Sequence, residues 1–209
     1  MPPKPRFTRD EIVEAALALV SERGADALTA RELADRLGCS TRPIFTAFDD
    51  MSALRREVRR RVAIHIEHVA KQEMRRSGRF LSAELRAITF AKDEPNLYKL
   101  VFMEAGGPLS SIEDVLLDSE IAMREYAELL EVEYDLTPDE AEELFTHAWI
   151  LANGMGSLCA TRRVKLPTEG IARLLNEDLA AMCAHLKARR IADADPSASP
   201  SGREADGQT

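Results

Sequence analysis

The sequence has few cysteines and no long apolar run, and both absences limit what the protein is. It contains 3 cysteines among 209 residues, and their wide spacing fits neither a disulfide framework nor a zinc-binding knuckle. We interpret Cys39, Cys159 and Cys183 as small hydrophobic residues. No run of about eighteen apolar residues predicts a membrane span, and the opening Met-Pro-Pro-Lys-Pro-Arg lacks the apolar core of a signal peptide. A cytoplasmic location is expected.

The motifs of common catalytic sites are also missing. We find no Gly-x-Ser-x-Gly, no glycine-rich phosphate loop and no acid pair in a distinctive context. His65 and His68 stand three apart on a predicted helix, which is a metal-ligand spacing, but the local sequence offers no third ligand, and His147 is the remaining distant donor. We predict no catalytic residue, no metal and no cofactor, and we do not expect an enzyme.

Charge is distributed unevenly along the chain. The formal net charge is −8, with 45% hydrophobic and 31% charged residues, as in a globular protein with ample core-forming material. Residues 1–76 hold 15 Lys and Arg against 12 Asp and Glu, a net +3, whereas the rest hold 13 against 24, a net −11. A basic N-terminal part on an acidic body is compatible with nucleic-acid binding by the N-terminal part.

Residues 28–48 predict two short helices joined by a glycine turn. Thr29 is placed to cap the first helix while Glu32 reaches back to the cap, as in a capping box. Gly38 supplies the left-handed residue that ends this helix, and Ser40 is expected to cap the second. Two helices joined in this way form a helix-turn-helix, which fits the major groove of DNA.

The apolar spacing separates a packed face from an exposed one. The positions expected between the two helices are apolar: Leu33, Leu37, Ile44 and Phe48. The positions left facing outward on the second helix include hydroxyl, basic and aromatic side chains: Thr41, Arg42, Pro43, Phe45 and Thr46.

Helices are also predicted on both sides of this pair. Thr8 and Glu11 form a further capping box before an apolar stripe, and Gly24 ends that helix. Asp50 is the expected cap of a long helix that runs to about residue 76, before Gly78. At about 1.5 Å per residue this helix is long enough to enter a second domain.

These residues resemble the TetR family of bacterial transcription regulators over about residues 7 to 54. The shared pattern is Leu28-Thr29-x-Arg31-x-Leu33-Ala34-x-x-Leu37-Gly38, followed by a hydroxyl residue and by aromatic residues near the end of the recognition helix. The family usually has tyrosine at the position of Phe45, histidine or tyrosine at Ala47 and lysine at Met51. The resemblance implies a dimeric DNA-binding regulator, usually a repressor, and these departures remove polar contacts to phosphate.

We assign DNA contacts to the recognition helix and its neighbours. The planar guanidinium of Arg42 suits guanine, which it can contact at two points, and Arg31 is expected to hold a phosphate. The full set of predicted DNA-binding residues is Thr29, Arg31, Thr41, Arg42, Pro43, Phe45, Thr46 and Met51.

Beyond Gly78 the pattern stays helical, with helices near 82–92, 95–105, 111–133, 138–162 and 168–190. The chain is therefore predicted to be all-α with about nine helices. The expected division is a helix-turn-helix domain at 1–54, a body at 55–190 and a disordered tail at 191–209, since the tail has almost nothing to bury.

The resemblance implies that the body binds a small molecule and that its last two helices pair with those of a second copy. Asn153-Gly154-Met155-Gly156-Ser157 fits close helix approach, a cavity wall or a tight contact within the chain. Trp149-x-x-x-Asn153-Gly154 and the segment 98–103 resemble one branch of the family. The predicted ligand-binding residues are Phe102, Met103, Met123, Tyr126, Trp149 and Asn153.

Two kinds of function remain open at this point. In one, a dimer binds a palindromic operator and a mostly apolar ligand in the body releases it. In the other, the body has no ligand, and the protein is a constitutive DNA-binding or scaffolding module. Release of DNA by a ligand would separate them.

Overall fold

The computed structural model describes residues 7–104 and 120–194. Within these ranges the chain forms nine α-helices, a 3-10 turn at Ala25–Ala27 and no strand, which confirms the all-α prediction. The helices are α1 (Arg9–Arg23), α2 (Ala30–Leu37), α3 (Arg42–Ala47), α4 (Met51–Ser77), α5 (Phe80–Asp93), α6 (Pro95–Phe102), α7 (Glu120–Tyr134), α8 (Pro138–Ala160) and α9 (Thr168–Ala194).

Three helix starts follow the capping signals in full. Thr8 and Thr137 each form a complete capping box, with Glu11 and Glu140 respectively, and the Asp50 carboxylate accepts a hydrogen bond from the backbone N–H of Ala53 at 2.6 Å. Each such contact satisfies an N–H group that the helix itself leaves unpaired.

Two predicted caps differ from the structure. Thr29 accepts from the Glu32 N–H at 3.2 Å, but the Glu32 carboxylate pairs with Arg23 at 2.6 Å instead of returning to the cap, so only half of the predicted box forms. The prediction for Ser40 is wrong, because α3 is capped by Thr41, whose side chain makes no capping hydrogen bond. Pro43 in the first turn of α3 lacks an N–H, which leaves fewer groups for a cap to satisfy.

The glycine turn between α2 and α3 forms as predicted. Gly38 adopts φ 63° and ψ 40°, the left-handed conformation, and its N–H group lies within reach of the last carbonyls of α2. A side chain at this position would strain the backbone.

Three apolar clusters hold the described part of the chain together. The first joins α1, α2 and α3 to the first half of α4 and to α6, the second lies among α4, α5, α7, α8 and α9, and the third lies between α5, α8 and α9. Helix α4 contributes Val58 and Val62 to the first cluster and Ala70 and Met74 to the second. This one helix therefore joins the N-terminal helices to the body.

Two predicted segments extend to residues outside the described ranges. Residues 111–119 of the predicted helix near 111–133 lie there, and the described part begins at Glu120. The last helix continues to Ala194, past the predicted end near 190, and the rest of the predicted tail lies outside the described residues.

Candidate functional site

Helix α3 presents its polar side chains to solvent. Ile44 is fully buried against α1 and α2, and Phe48 just after the helix is 3% exposed. Arg42 and Thr46 are exposed, Phe45 is 49% exposed and Pro43 is half-buried. The predicted packed and outward faces are thus both present.

The N-terminal end of α1 supports the end of α3. The guanidinium of Arg9 donates to the Ala47 carbonyl at 2.8 Å and lies 4.0 Å from the centre of the Phe48 ring. A cation over an aromatic face is a favourable contact. These contacts hold the end of α3 in place in the absence of DNA.

Two of the three hydroxyl groups in the predicted DNA-binding set already form hydrogen bonds within the chain. Thr46 donates to the Arg42 carbonyl at 2.9 Å, and Thr29 accepts the capping bond of α2. The Thr41 side chain is exposed and takes no part in capping. Thr41, at the start of α3, is therefore the predicted hydroxyl that remains available for a contact with DNA.

Most of the arginines in residues 9–61 are already paired with other groups of this chain. The arginines engaged by carboxylates or carbonyls of this chain are Arg9, Arg23, Arg36, Arg55, Arg59, Arg60 and Arg61.

The remaining arginines of this part are exposed. Arg31 and Arg42 form no ion pair with the described residues, and both are exposed. Arg56 on α4 shares this property and was not among the predicted residues, because an exposed helix position carries no distinctive sequence signal. Met51 is half-buried and packs against the first cluster.

The described members of the predicted ligand-binding set lie in different surroundings. Tyr126 lies in an aromatic group, stacked on Phe145 with ring centres 5.6 Å apart, and Trp149 packs at the edge of the same cluster. Phe102 and Met103 end α6 and are 38% and 46% exposed.

Two further contacts bear on that set. Asn153 receives a hydrogen bond from the Tyr98 hydroxyl at its carbonyl, 3.1 Å away. Glu104, which follows Met103, lies 3.9 Å from Arg55. The side chain of Met123 lies outside the described residues.

One buried acid was missed by the sequence reasoning. Glu84 is 7% exposed in the body, and burial raises the pKa of its carboxyl to about 7. Its electrostatic neighbours include Tyr98 and Tyr126. The signal was available, because Phe80, Glu84 and Ile88 are four residues apart and share one face of α5.

The N-terminal helices and the body also meet at α6. The Ser21 hydroxyl donates to the Glu94 carboxylate at 2.7 Å, and the Asn96 amide donates to the Ser21 carbonyl at 2.9 Å. On α4, Arg61 pairs with Asp10 at 2.7 Å. Polar contacts thus reach α1 both from α4 and from the α5–α6 turn.

In the described ranges, no three His, Cys, Asp or Glu side chains are grouped as a metal site would require. The three cysteines are unpaired, and burial raises the pKa of the Cys159 and Cys183 thiols. No helix in residues 7–104 or 120–194 has the length and apolar character that a membrane crossing needs.

The chain is similar to known proteins in its N-terminal part and in its fold. Residues 12–58 match the family of bacterial regulatory proteins of the tetR family. The structure resembles the crystal structure of a protein named as a candidate transcriptional regulator from Streptomyces coelicolor A3(2), with a TM-score of 0.51 and 20% sequence identity, covering 88% of this chain and 98% of that one. No curated protein matches. The matched segment contains the helix-turn-helix built by α2 and α3, and we conclude that residues 12–58 form a DNA-binding segment of the tetR type.

Proposed function

We propose that the protein is a homodimeric repressor that binds a palindromic operator and is released by a small, mostly apolar molecule. The observation that carries the DNA-binding part is the exposed face of α3, where Arg42 forms no ion pair with a described residue and the helix is held by Arg9 and the first apolar cluster. A rigid element that presents an unpaired guanidinium suits base recognition. In this proposal residues 1–54 contact DNA, and residues 55–190 bind the effector and the second copy.

A second copy is proposed to cover α8 and α9. Ile150, Gly154 and Leu158 are spaced four residues apart on α8, so they share one face, and the two large residues are 46% and 40% exposed. On α9, Leu174 is 42% exposed, and small exposed alanines follow it. Apolar and small residues on two neighbouring helices favour a self-complementary interface.

The effector is proposed to act through α4. That helix belongs to both the first and the second apolar cluster, so a change in the body alters the position of the N-terminal helices. A ligand releases DNA only if it binds the DNA-incompetent arrangement better, by about 5.5 kcal/mol to move the population from 1:99 to 99:1. Near-apolar surroundings and Glu84 favour an effector that is hydrophobic or cationic.

Selection of bound DNA from a random pool tests the DNA-binding part. The expected result is a sequence with dyad symmetry and two half-sites about one helical turn apart or slightly more. Selected sites without dyad symmetry would contradict the dimeric arrangement.

Light scattering during gel filtration tests the interface. The variant Leu158→Glu should convert the dimer to a monomer, because it places a charge at the proposed interface. Val132→Glu is the matched control, since Val132 is 84% exposed on α7, away from that face. Equal behaviour of both variants would disprove the assignment.

A screen of small molecules against the protein–operator complex tests release. An effector should shift thermal stability by about 2.7 kcal/mol at 100 times its dissociation constant and dissociate the operator. If no compound does so over a broad set, the constitutive DNA-binding module becomes the better description.

A further inference from the structure

A cleft of about 570 Å³ lies between α1, α4 and the start of α6. It is within the size range of small-molecule sites, and it contains none of the six predicted ligand-binding residues. Its apolar lining residues come from all three helices: Leu17, Ala18, Val62, Ile64 and Leu97. The cleft therefore lies where the N-terminal helices meet the body.

One face of α4 brings nitrogen-containing side chains into this cleft. Arg61, His65 and His68 stand at spacings of four and three residues, so they share a helix face, and all three line the cleft. Ile64 beside them is 47% exposed. The histidine pair of the sequence, which the regulator function leaves unused, thus lies beside an apolar surface.

Arg61 is held by carboxylates that are themselves well exposed. Its guanidinium lies 2.7 Å from Asp10 and 3.3 Å from Glu14, and these two acid side chains are 80% and 65% exposed. Ion pairs of this kind contribute little to stability. A ligand carboxylate can therefore replace them without leaving a buried charge unpaired.

We propose that this cleft binds an amphipathic anion, meaning a small molecule with an apolar body and one carboxylate. The carboxylate forms two parallel hydrogen bonds with Arg61, beside the two imidazoles, and the apolar body covers Leu17 and Ile64. Arg61 and the two histidines outnumber Glu14, an acid that also lines the cleft. These three basic side chains select the charge of the ligand, and the apolar lining selects its body.

Occupation of the cleft changes a connection between α1 and α4. The ligand takes Arg61 from Asp10 and Glu14, which removes the ion pairs described between α1 and α4. The hydrogen bond from Ser21 to Glu94 remains. Binding in the cleft stands by itself, and only its effect on operator affinity rests on the proposed function.

Titration calorimetry with three probes of equal chain length tests the ligand class. The full chain is titrated with sodium decanoate and decyltrimethylammonium below their micelle concentrations, and with 1-decanol below its solubility limit. Decanoate should bind, the alcohol about tenfold or more weakly because it lacks the charge-assisted bonds, and the ammonium compound more weakly still. Absence of decanoate binding, or equal binding of all three probes, overturns the proposal.

Variants locate the site. Arg61→Gln should weaken decanoate binding by about tenfold or more, and Ala18→Phe, which fills the cleft, should abolish it. Arg60→Gln is the matched control, because Arg60 is the preceding residue, pairs with Glu57 and does not line the cleft; its affinity should be unchanged. Circular dichroism checks that each variant is folded, and Arg61→Gln decides the question if Ala18→Phe fails to fold. Decanoate affinity that survives Arg61→Gln places the ligand elsewhere and overturns the proposal.

Fluorescence anisotropy of selected operator DNA separates this inference from the proposed function. Decanoate should change operator affinity of the unmodified chain and of Arg60→Gln, and should leave that of Arg61→Gln unchanged. If decanoate leaves operator affinity unchanged in every variant, the proposed coupling through Arg61 is disproved, while the DNA-binding function stands.

Discussion

Replacement of Gly156 by alanine should destabilise the protein, although alanine is the better helix former. A Cβ atom at this position would lie 2.5 Å from the hydroxyl oxygen of Tyr98 and 2.8 Å from the ring carbon that bears it. Tyr98 is 4% exposed and its hydroxyl donates to the Asn153 carbonyl, so the ring has little room to move. Helix α6 must then shift against α8.

The net effect follows from two opposing terms. Overpacking a well-packed core costs about 1–3 kcal/mol, and the exchange of glycine for alanine in a helix returns up to about 1 kcal/mol. We expect the free energy of unfolding to fall by about 1–2 kcal/mol. Urea denaturation followed by circular dichroism measures this as a lower midpoint at unchanged slope.

Gly154 is the matched control, two residues away on the same helix. A Cβ atom there meets nothing within 4 Å, so Gly154→Ala should raise stability by up to about 1 kcal/mol at a protein concentration where the chain is monomeric. Combining Gly156→Ala with Tyr98→Phe should recover part of the loss, because the nearest atom is removed. If Gly156→Ala is as stable as the unmodified protein, α6 does not pack against α8 as closely as we infer.

Three further predictions concern DNA contacts and pH. Arg42→Ala should relax base preference at one position of each half-site, by about 1–3 kcal/mol, whereas Arg31→Ala should weaken all sites alike; a selection profile unchanged by Arg42→Ala would refute the assignment. Met51→Lys should tighten operator binding at low salt and steepen the log–log salt slope by up to about one unit per subunit, and an unchanged slope would mean that this position faces away from DNA. Glu84→Gln should remove a pH dependence of the free energy of unfolding. Burial raises the pKa of the Glu84 carboxyl from 4.5 to about 7 in the folded protein. Its contribution to stability is therefore present below pH 4.5 and is lost as the pH rises towards 7. Urea unfolding at pH 5 and pH 7.5 measures this, and equal pH dependence of both proteins would show that Glu84 is ionised in the folded state.

The N-terminal helices were predictable because their signals are local. A capping residue, the glycine at position 38 and the spacing of Leu33, Ile44 and Phe48 each depend on neighbours within about twenty residues. The prediction of Ser40 as the cap of α3 was wrong for a local reason too, since Pro43 in the first turn lacks one of the N–H groups that a capping side chain would bind. The same short range explains why α4 could be placed from Asp50 to Gly78.

The candidate sites in the body depend on contacts that are distant in sequence. No residue near Gly156 in the sequence indicates that Tyr98 approaches it from another helix. Three interpretations of that glycine, namely close helix approach, a cavity wall or a tight contact within the chain, therefore remained open from the sequence. Glu84 shows a different limit, because its place on an apolar stripe was visible but the burial of a carboxyl there depends on α7 and α8. The pairing of Arg61 with Asp10 likewise joins residues 51 positions apart.

The continuous helix α4 has a mechanical consequence for a dimer. Its 27 residues extend over about 40 Å, so a tilt of about 5° at its body end displaces the other end by about 3.5 Å. In a two-fold arrangement both recognition helices move, and their separation changes by about 7 Å against a half-site spacing of about 34 Å. A side-chain rearrangement no larger than a rotamer change in the body therefore becomes a misfit of about one fifth of a DNA turn.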